Sequence, residues 1–97
     1  MSYDIDTEAI RRVARKIGSI ATSVQDLSSD DIPAIERSLD GNFEGEAAKA
    51  LEEVLADLRK DVKGMGNGLK AIQQELLAYA RRVDEADEKA AQLIGSK

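Results

Sequence analysis

Apolar residues recur along this chain in alternating steps of three and four. The first run is Ile10, Val13, Ile17, Ile20, Val24 and Leu27. That spacing puts all six on one stripe of an α-helix, the kind of seam along which two helices pack. The second run is longer: Ala47, Leu51, Val54 or Leu55, Leu58, Val62, Met65, Leu69, Ile72, Leu76, Tyr79, Val83, Ala86, Ala90 and Leu93. From Leu55 onward its heptad is unbroken. Gly64, Gly66 and Gly68 interrupt helix propensity, each at ~1 kcal/mol against alanine. The stripe passes straight through them, which predicts one helix with a soft middle rather than two helices. β-Branched residues occur singly at helical spacing and never as an alternating run, so no strand is expected.

Boundary residues frame the two runs. Asp6 can accept a hydrogen bond from a first-turn N–H, and Glu8 suits the positive end of the helix dipole. Around Ser28-Ser29-Asp30-Asp31-Ile32-Pro33 the register slips. Proline removes a donor and disfavours helix at the residue before it, which predicts a kink or short break near 28–33 with Asp30 or Asp31 capping the helical segment beyond it. The stripe resumes at Ile32, Ile35 and Leu39. Asp40-Gly41-Asn42 then reads as a turn, with Gly41 able to end one helix in a left-handed conformation and Asn42 able to cap the next. The expected architecture is all-α: an antiparallel helix-turn-helix hairpin over residues 1–97, one domain. Helix 1 covers about 6–39, the turn 40–45 and helix 2 about 46–94.

The two stripes can be laid against each other. Folding the chain about Asn42 to Phe43 sets Ile10 opposite Leu76, Ile17 opposite Leu69, Val24 opposite Val62 and Leu39 opposite Ala47. In that register Asp6 meets Ala80, and residues past about Arg81 overhang the end of helix 1. Apolar side positions remain at Ala14, Ala21, Ala48, Leu77 and Ala80. A second hairpin alongside would cover them in a four-helix bundle. Gly64, Gly68 and Ala71 lie on one flank. Either they let a neighbouring backbone approach closely, or the glycines only soften the helix.

Composition narrows the chemistry. The chain has 97 residues, no cysteine, no histidine and a net charge of −5. Without His or Cys, the usual zinc sites and the Ser–His or Cys–His catalytic pairs cannot be built, so no catalytic residue, metal ligand or cofactor is expected. The negative balance argues against nucleic acid as a main partner. Glu8 with Arg12 and Glu85 with Lys89 are surface pairs worth tenths of a kcal/mol. The acidic cluster at Asp84, Glu85, Asp87 and Glu88 has no loop glycine to arrange oxygens around calcium, and reads as solvated helix. Arg11, Arg12, Arg15 and Lys16 form a basic patch that reads as plain surface. No apolar run approaches the ~18 residues of a membrane span, so no stable insertion is expected. The first residues lack a basic start followed by an apolar core, so no cleavable secretory signal is expected either.

Phe43-Glu44-Gly45 sits in the turn between two long amphipathic helices, followed by Glu46-Ala47-Ala48-Lys49-Ala50-Leu51. This resembles the WXG family of early-secreted-antigen-like proteins of type VII secretion, whose signature is Trp-Xaa-Gly in that turn. The resemblance spans the chain. It departs in two places: Phe43 stands at the tryptophan position, and the family's Tyr-to-acid spacing of four meets Val83 after Tyr79. Asp84 is five away, ~140° round the helix instead of ~40°. The resemblance implies a secreted, non-enzymatic protein-binding module that forms a homodimer, or a heterodimer with a related small helical protein. The alternative it leaves open is a cytoplasmic adaptor for a larger helical toxin, with the secretion ATPase or the toxin as partner. Phe43 and Gly45 would form the turn motif, with Phe43 either an aromatic plug with room left by Gly45 or a partner contact. Tyr79, on the stripe, reads as core or as recognition. With Asp84 and Asp87 it marks the expected export or partner-docking segment.

Overall fold

The computed structural model describes residues 5–39 and 43–95. The chain is all-α, a helical hairpin 79 Å long with transverse extents of 16 and 15 Å. Its first arm is α1 (Thr7–Asp26), a π-turn (Leu27–Asp31) and α2 (Ile32–Leu39); its second is a single 51-residue helix, α3 (Gly45–Gly95). At 1.5 Å per residue α3 alone spans nearly the whole molecule. Asp6 caps α1, its carboxylate accepting from the Ala9 N–H at 2.9 Å. The proposed roles of Gly41 and Asn42 lie outside the described residues.

The slip near 28–33 takes the form of the π-turn. The step from Leu27 to Ile32 is five residues, and the Ile32 N–H donates to the Leu27 carbonyl across that same interval. Pro33 has no N–H and its ring needs room in the preceding turn. The wider π-turn supplies that room without ending the helix. No side-chain cap opens the π-turn, and the first arm runs on through Pro33.

The arms meet along a line that differs from the expected one. Ala14 and Ala21 are fully buried, Ser28 nearly so, and the three are spaced by seven. On α3 the buried positions are Leu55, Val62, Gly66 and Ala80. Ala14, Ala21 and Ala80, expected on the side faces, are therefore the seam itself. Near the turn Ile32, Leu55 and Val62 form the aliphatic core, flanked by Val24 and Leu39. The Ser28 hydroxyl donates to the Arg59 carbonyl at 3.3 Å, which satisfies a hydroxyl placed in the seam.

Two reciprocal notches set the register. A Cβ on Gly18 would collide with the Gln73 carboxamide, and one on Gly66 would lie 2.9 Å from Gln25 Cγ. Each helix thus carries a glycine and, seven residues on, a glutamine that fills the other helix's notch. Folding about Asn42 to Phe43 puts residue 64 or 65 opposite Ala21 and residue 57 or 58 opposite Ser28; the structure sets Gly66 beside the Ala21 carbonyl and the Arg59 carbonyl on Ser28, one or two positions further along. Counting symmetrically about a turn assumes a helical rise for every residue. Glu44 is not helical and Gly45 has φ +67°, so that assumption fails at the linker.

Candidate functional site

Where the seam is closed by small side chains, the large apolar ones lie beside it. On the first arm Val13, Ile20 and Leu27 each immediately precede a seam residue: Ala14, Ala21 and Ser28. On α3 Val54, Met65 and Tyr79 precede Leu55, Gly66 and Ala80, and Ile72 precedes Gln73, which fills the Gly18 notch. One residue back is a rotation of 100°. In two antiparallel right-handed helices that face each other, the same rotation leads to the same side of the pair. These residues, with Ile35 and Leu58, therefore form one apolar face along the hairpin. They are 42–63% exposed. An apolar surface this continuous is the mark of a docking site, since single scattered apolar residues are the norm on a surface that meets only water.

The opposite face is polar. Gln25, Ser28, Ser29, Pro33, Arg59 and Lys63 line a groove beside the π-turn, and Arg59 Nη2 pairs with Glu36 at 3.3 Å. Arg59 Nε is buried without a hydrogen-bond partner, and Glu36 Oε1, buried beside it, is held by the ion pair alone. Among the described residues no group of His, Cys, Asp and Glu could hold a metal ion, and no helix is long and apolar enough to cross a membrane.

The residues singled out in the sequence fall in separate places. Phe43 is 44% exposed. Gly45 has φ +67° and no atom within 4 Å of where a Cβ would sit. Its glycine serves the left-handed backbone at the head of α3, not room for Phe43. Gly64 and Gly68 are likewise open. Gly68 lies on the helix surface between Met65, three residues before it, and Ile72, four after, and so borders the apolar face; Ala71 is exposed beside it. Tyr79 belongs to that face, with the Arg82 guanidinium 5.9 Å from its ring centre.

Asp84 is tied into the hairpin. It forms an ion pair with Arg11, which also reaches Glu8 at 3.3 Å. Hydrogen bonding from Arg11 first, and from Thr7 second, holds the Asp84 carboxyl below the ordinary carboxylate range. The same bond to Asp84 raises Arg11. The side chains of Arg11 and Thr7 reach Asp84 from the first turns of α1. Asp87 is half-buried, and Leu93 and Ile94 near the end of α3 are exposed. The two notches and the Arg11–Asp84 clasp escaped the reading of the sequence. The signal for the notches was present: glycine followed seven residues later by glutamine, once on each arm.

A slender hairpin that covers one seam and leaves a second apolar stripe bare defines the class of small helical pairing proteins. The family model WXG100, proteins of 100 residues with WXG, matches residues 2–88, and the chain belongs to that family. The family comprises small helical proteins associated with type VII secretion that typically dimerise with related helical partners. Comparison with curated proteins and with solved structures gave no match.

Proposed function

We propose that the protein is a non-enzymatic binding module that joins a related helical hairpin through its apolar face, forming a four-helix bundle that is the exported unit. One observation carries this reading: the aliphatic residues that should have closed the hairpin stand half exposed in a continuous row on both helices. Burial of such side chains is worth about 1.5–3 kcal/mol each, which a pair would recover and a lone hairpin forgoes. Secretion then relies on the turn motif at Phe43 and Gly45, and on the C-terminal segment from Tyr79 through Asp87 to the end of α3, as a docking element for the secretion ATPase.

A second reading, a cytoplasmic adaptor for a larger toxin, draws on the same segment. The residue four after Tyr79 is Val83, and the nearest acid, Asp84, is engaged by Arg11. An export signal incomplete in this chain would be completed by the partner.

Met65→Asp tests the shared core of both readings. Met65 is exposed in the lone hairpin, so the variant should keep its helical circular dichroism. Sedimentation should show the pair lost, because a buried unpaired carboxylate in the joint costs several kcal/mol. An unchanged pair would reject the apolar face as the joint. Removing residues 85–97 separates the readings. Loss of export with the pair intact favours the exported substrate, and loss of toxin binding favours the adaptor.

A further inference from the structure

The side of the hairpin away from the apolar face is built from residues that follow the seam instead of preceding it. Ser29, Pro33, Lys63 and Asn67 come directly after Ser28, Ile32, Val62 and Gly66, all four of them buried. One residue on is a rotation of 100°, to the other side of the pair. Together with Gln25, Ser28 and Arg59 they line a groove of about 420 Å³ between the π-turn and α3, within the ~300–1,000 Å³ of ordinary ligand sites. Both arms contribute to it, and covering the apolar face leaves it open.

The charges in the groove have one sign. Arg59 and Lys63 are its ionisable residues, and no carboxylate lines it. Glu36 pairs with Arg59 from an adjoining recess that it shares with Arg37 and Glu52. Asp30 takes the Ser29 hydroxyl at 3.3 Å and is exposed outside the lining, as are Asp26 and Asp31. Glu36 therefore offsets one of the two cations. Among the described residues Lys63 has no ion pair, and the carboxamides of Gln25 and Asn67 have no hydrogen-bond partner. The Ser28 hydroxyl is already given to the Arg59 carbonyl. What the groove offers is an unpaired ammonium, a guanidinium engaged on one side, and two carboxamides that each donate and accept.

We propose that this groove binds an extended acidic peptide segment of a partner protein, with carboxylates at alternate residues. Arg59 and Lys63 are four residues apart on α3, a rise of ~6 Å. Alternate side chains of an extended strand project to one side and stand ~6.6 Å apart. Two acidic side chains so placed reach both cations at once. The carboxamides decide between an extended segment and a helix. A helix presents carboxylates at a similar interval, but its backbone groups are bonded to one another. An extended backbone brings free N–H and C=O groups, and Gln25 and Asn67 supply the matching acceptors and donors. Inorganic phosphate would use the cations and leave the carboxamide oxygens without a donor. The groove lies apart from the apolar joint, so this binding neither needs that joint nor competes with it.

The test is a titration of the isotope-labelled full chain, followed by amide and side-chain shifts, with a capped hexapeptide of alternating glutamate and alanine at up to millimolar concentration. Saturable shifts should centre on Gln25, Ser29, Lys63 and Asn67, and should weaken as added salt screens the charge pairs. The same peptide with glutamine for glutamate should bind at least about tenfold more weakly. Lys63→Glu should abolish the shifts. Lys63 is exposed, so circular dichroism of that variant should be unchanged. Asn67→Ala should weaken binding by about three- to tenfold, the worth of one hydrogen bond. Three results would overturn the proposal: no saturable shift at the groove, equal binding of the glutamine peptide, or shifts as large at Arg12, Arg15 and Lys16. Inorganic phosphate giving the same shifts at the same concentration would overturn the peptide as occupant. Met65→Asp, aimed at the apolar joint, should leave peptide binding intact. Loss of binding in that variant would move the peptide to the apolar face and overturn the groove, whereas loss of pairing alone bears only on the joint.

Discussion

The hairpin's seam is closed in two different ways along its length. Toward the turn, Ile32, Leu55 and Val62 meet as branched aliphatics with Val24 and Leu39 around them. Toward the open end, Ala14, Ala21, Ala80 and Gly66 line the contact, and a Cβ on Gly66 would come within 3.7 Å of the Ala21 carbonyl oxygen. Large side chains bury more apolar area and so contribute more stability. Small ones let two backbones come close and fix a register through steric fit, with Gln25 and Gln73 seated in the opposing glycine notches. The turn half is therefore where stability is concentrated, and the open half is where alignment is set. The apolar side chains that the open half excludes from its own contact, Val13, Ile20, Met65, Ile72 and Tyr79, form the open half's share of the exposed apolar face.

The sharpest way to break this comparison is Ile32→Ala. Ile32 is 2% exposed, and removing a buried isoleucine's branches should cost about 2–5 kcal/mol in urea unfolding. A loss no larger than that of a surface substitution would show that the turn half is not the stabilising one. Ala21→Leu tests the other half. It puts bulk where the backbones nearly touch and should cost about 1–3 kcal/mol, with the amide shifts of Gly66 and Gln25 moving most. An unperturbed spectrum would mean that the helices have room between them there. The smallest effect belongs to the clasp at the open end. Asp84 has its carboxyl lowered by Arg11 and Thr7, so its contribution is complete above the unfolded carboxylate value. It is lost as pH falls through the lower native one. Titration followed by the Asp84 carboxyl carbon shift should report that lowered midpoint, and Arg11→Gln should return it to the ordinary range. The hairpin should stay folded throughout, because a surface ion pair adds little.

Two helices and a mid-chain reversal were legible because steps of three and four leave no other regular structure that could use them. The choice of face was not. Val13, Ile20, Met65 and Ile72 look like core in any hydropathy pattern, and Ala14, Ala21 and Ser28 look like flank. An apolar stripe that continues past the seam onto an exposed face is wider than the seam needs, and pattern alone does not divide it. The five-residue step from Leu27 to Ile32 could have been read as a π-turn, since five is the interval of that turn's hydrogen bonds. Phe43 and Gly45 were found by motif, yet Gly45 is explained by its positive φ, which spacing does not reveal. The clasp of Arg11 on Asp84 depends on the register, and the register passed through linker residues whose rise no helical count supplies.

The rod is 79 Å long and nowhere exceeds transverse extents of 16 and 15 Å among the described residues. For an object carried across a barrier, girth decides the size of the opening and length only the duration of transit. A rod of this form could travel lengthwise with its hydrogen bonds intact, through an aperture little wider than two helices abreast. A pair would need a wider opening, while its length would be the same.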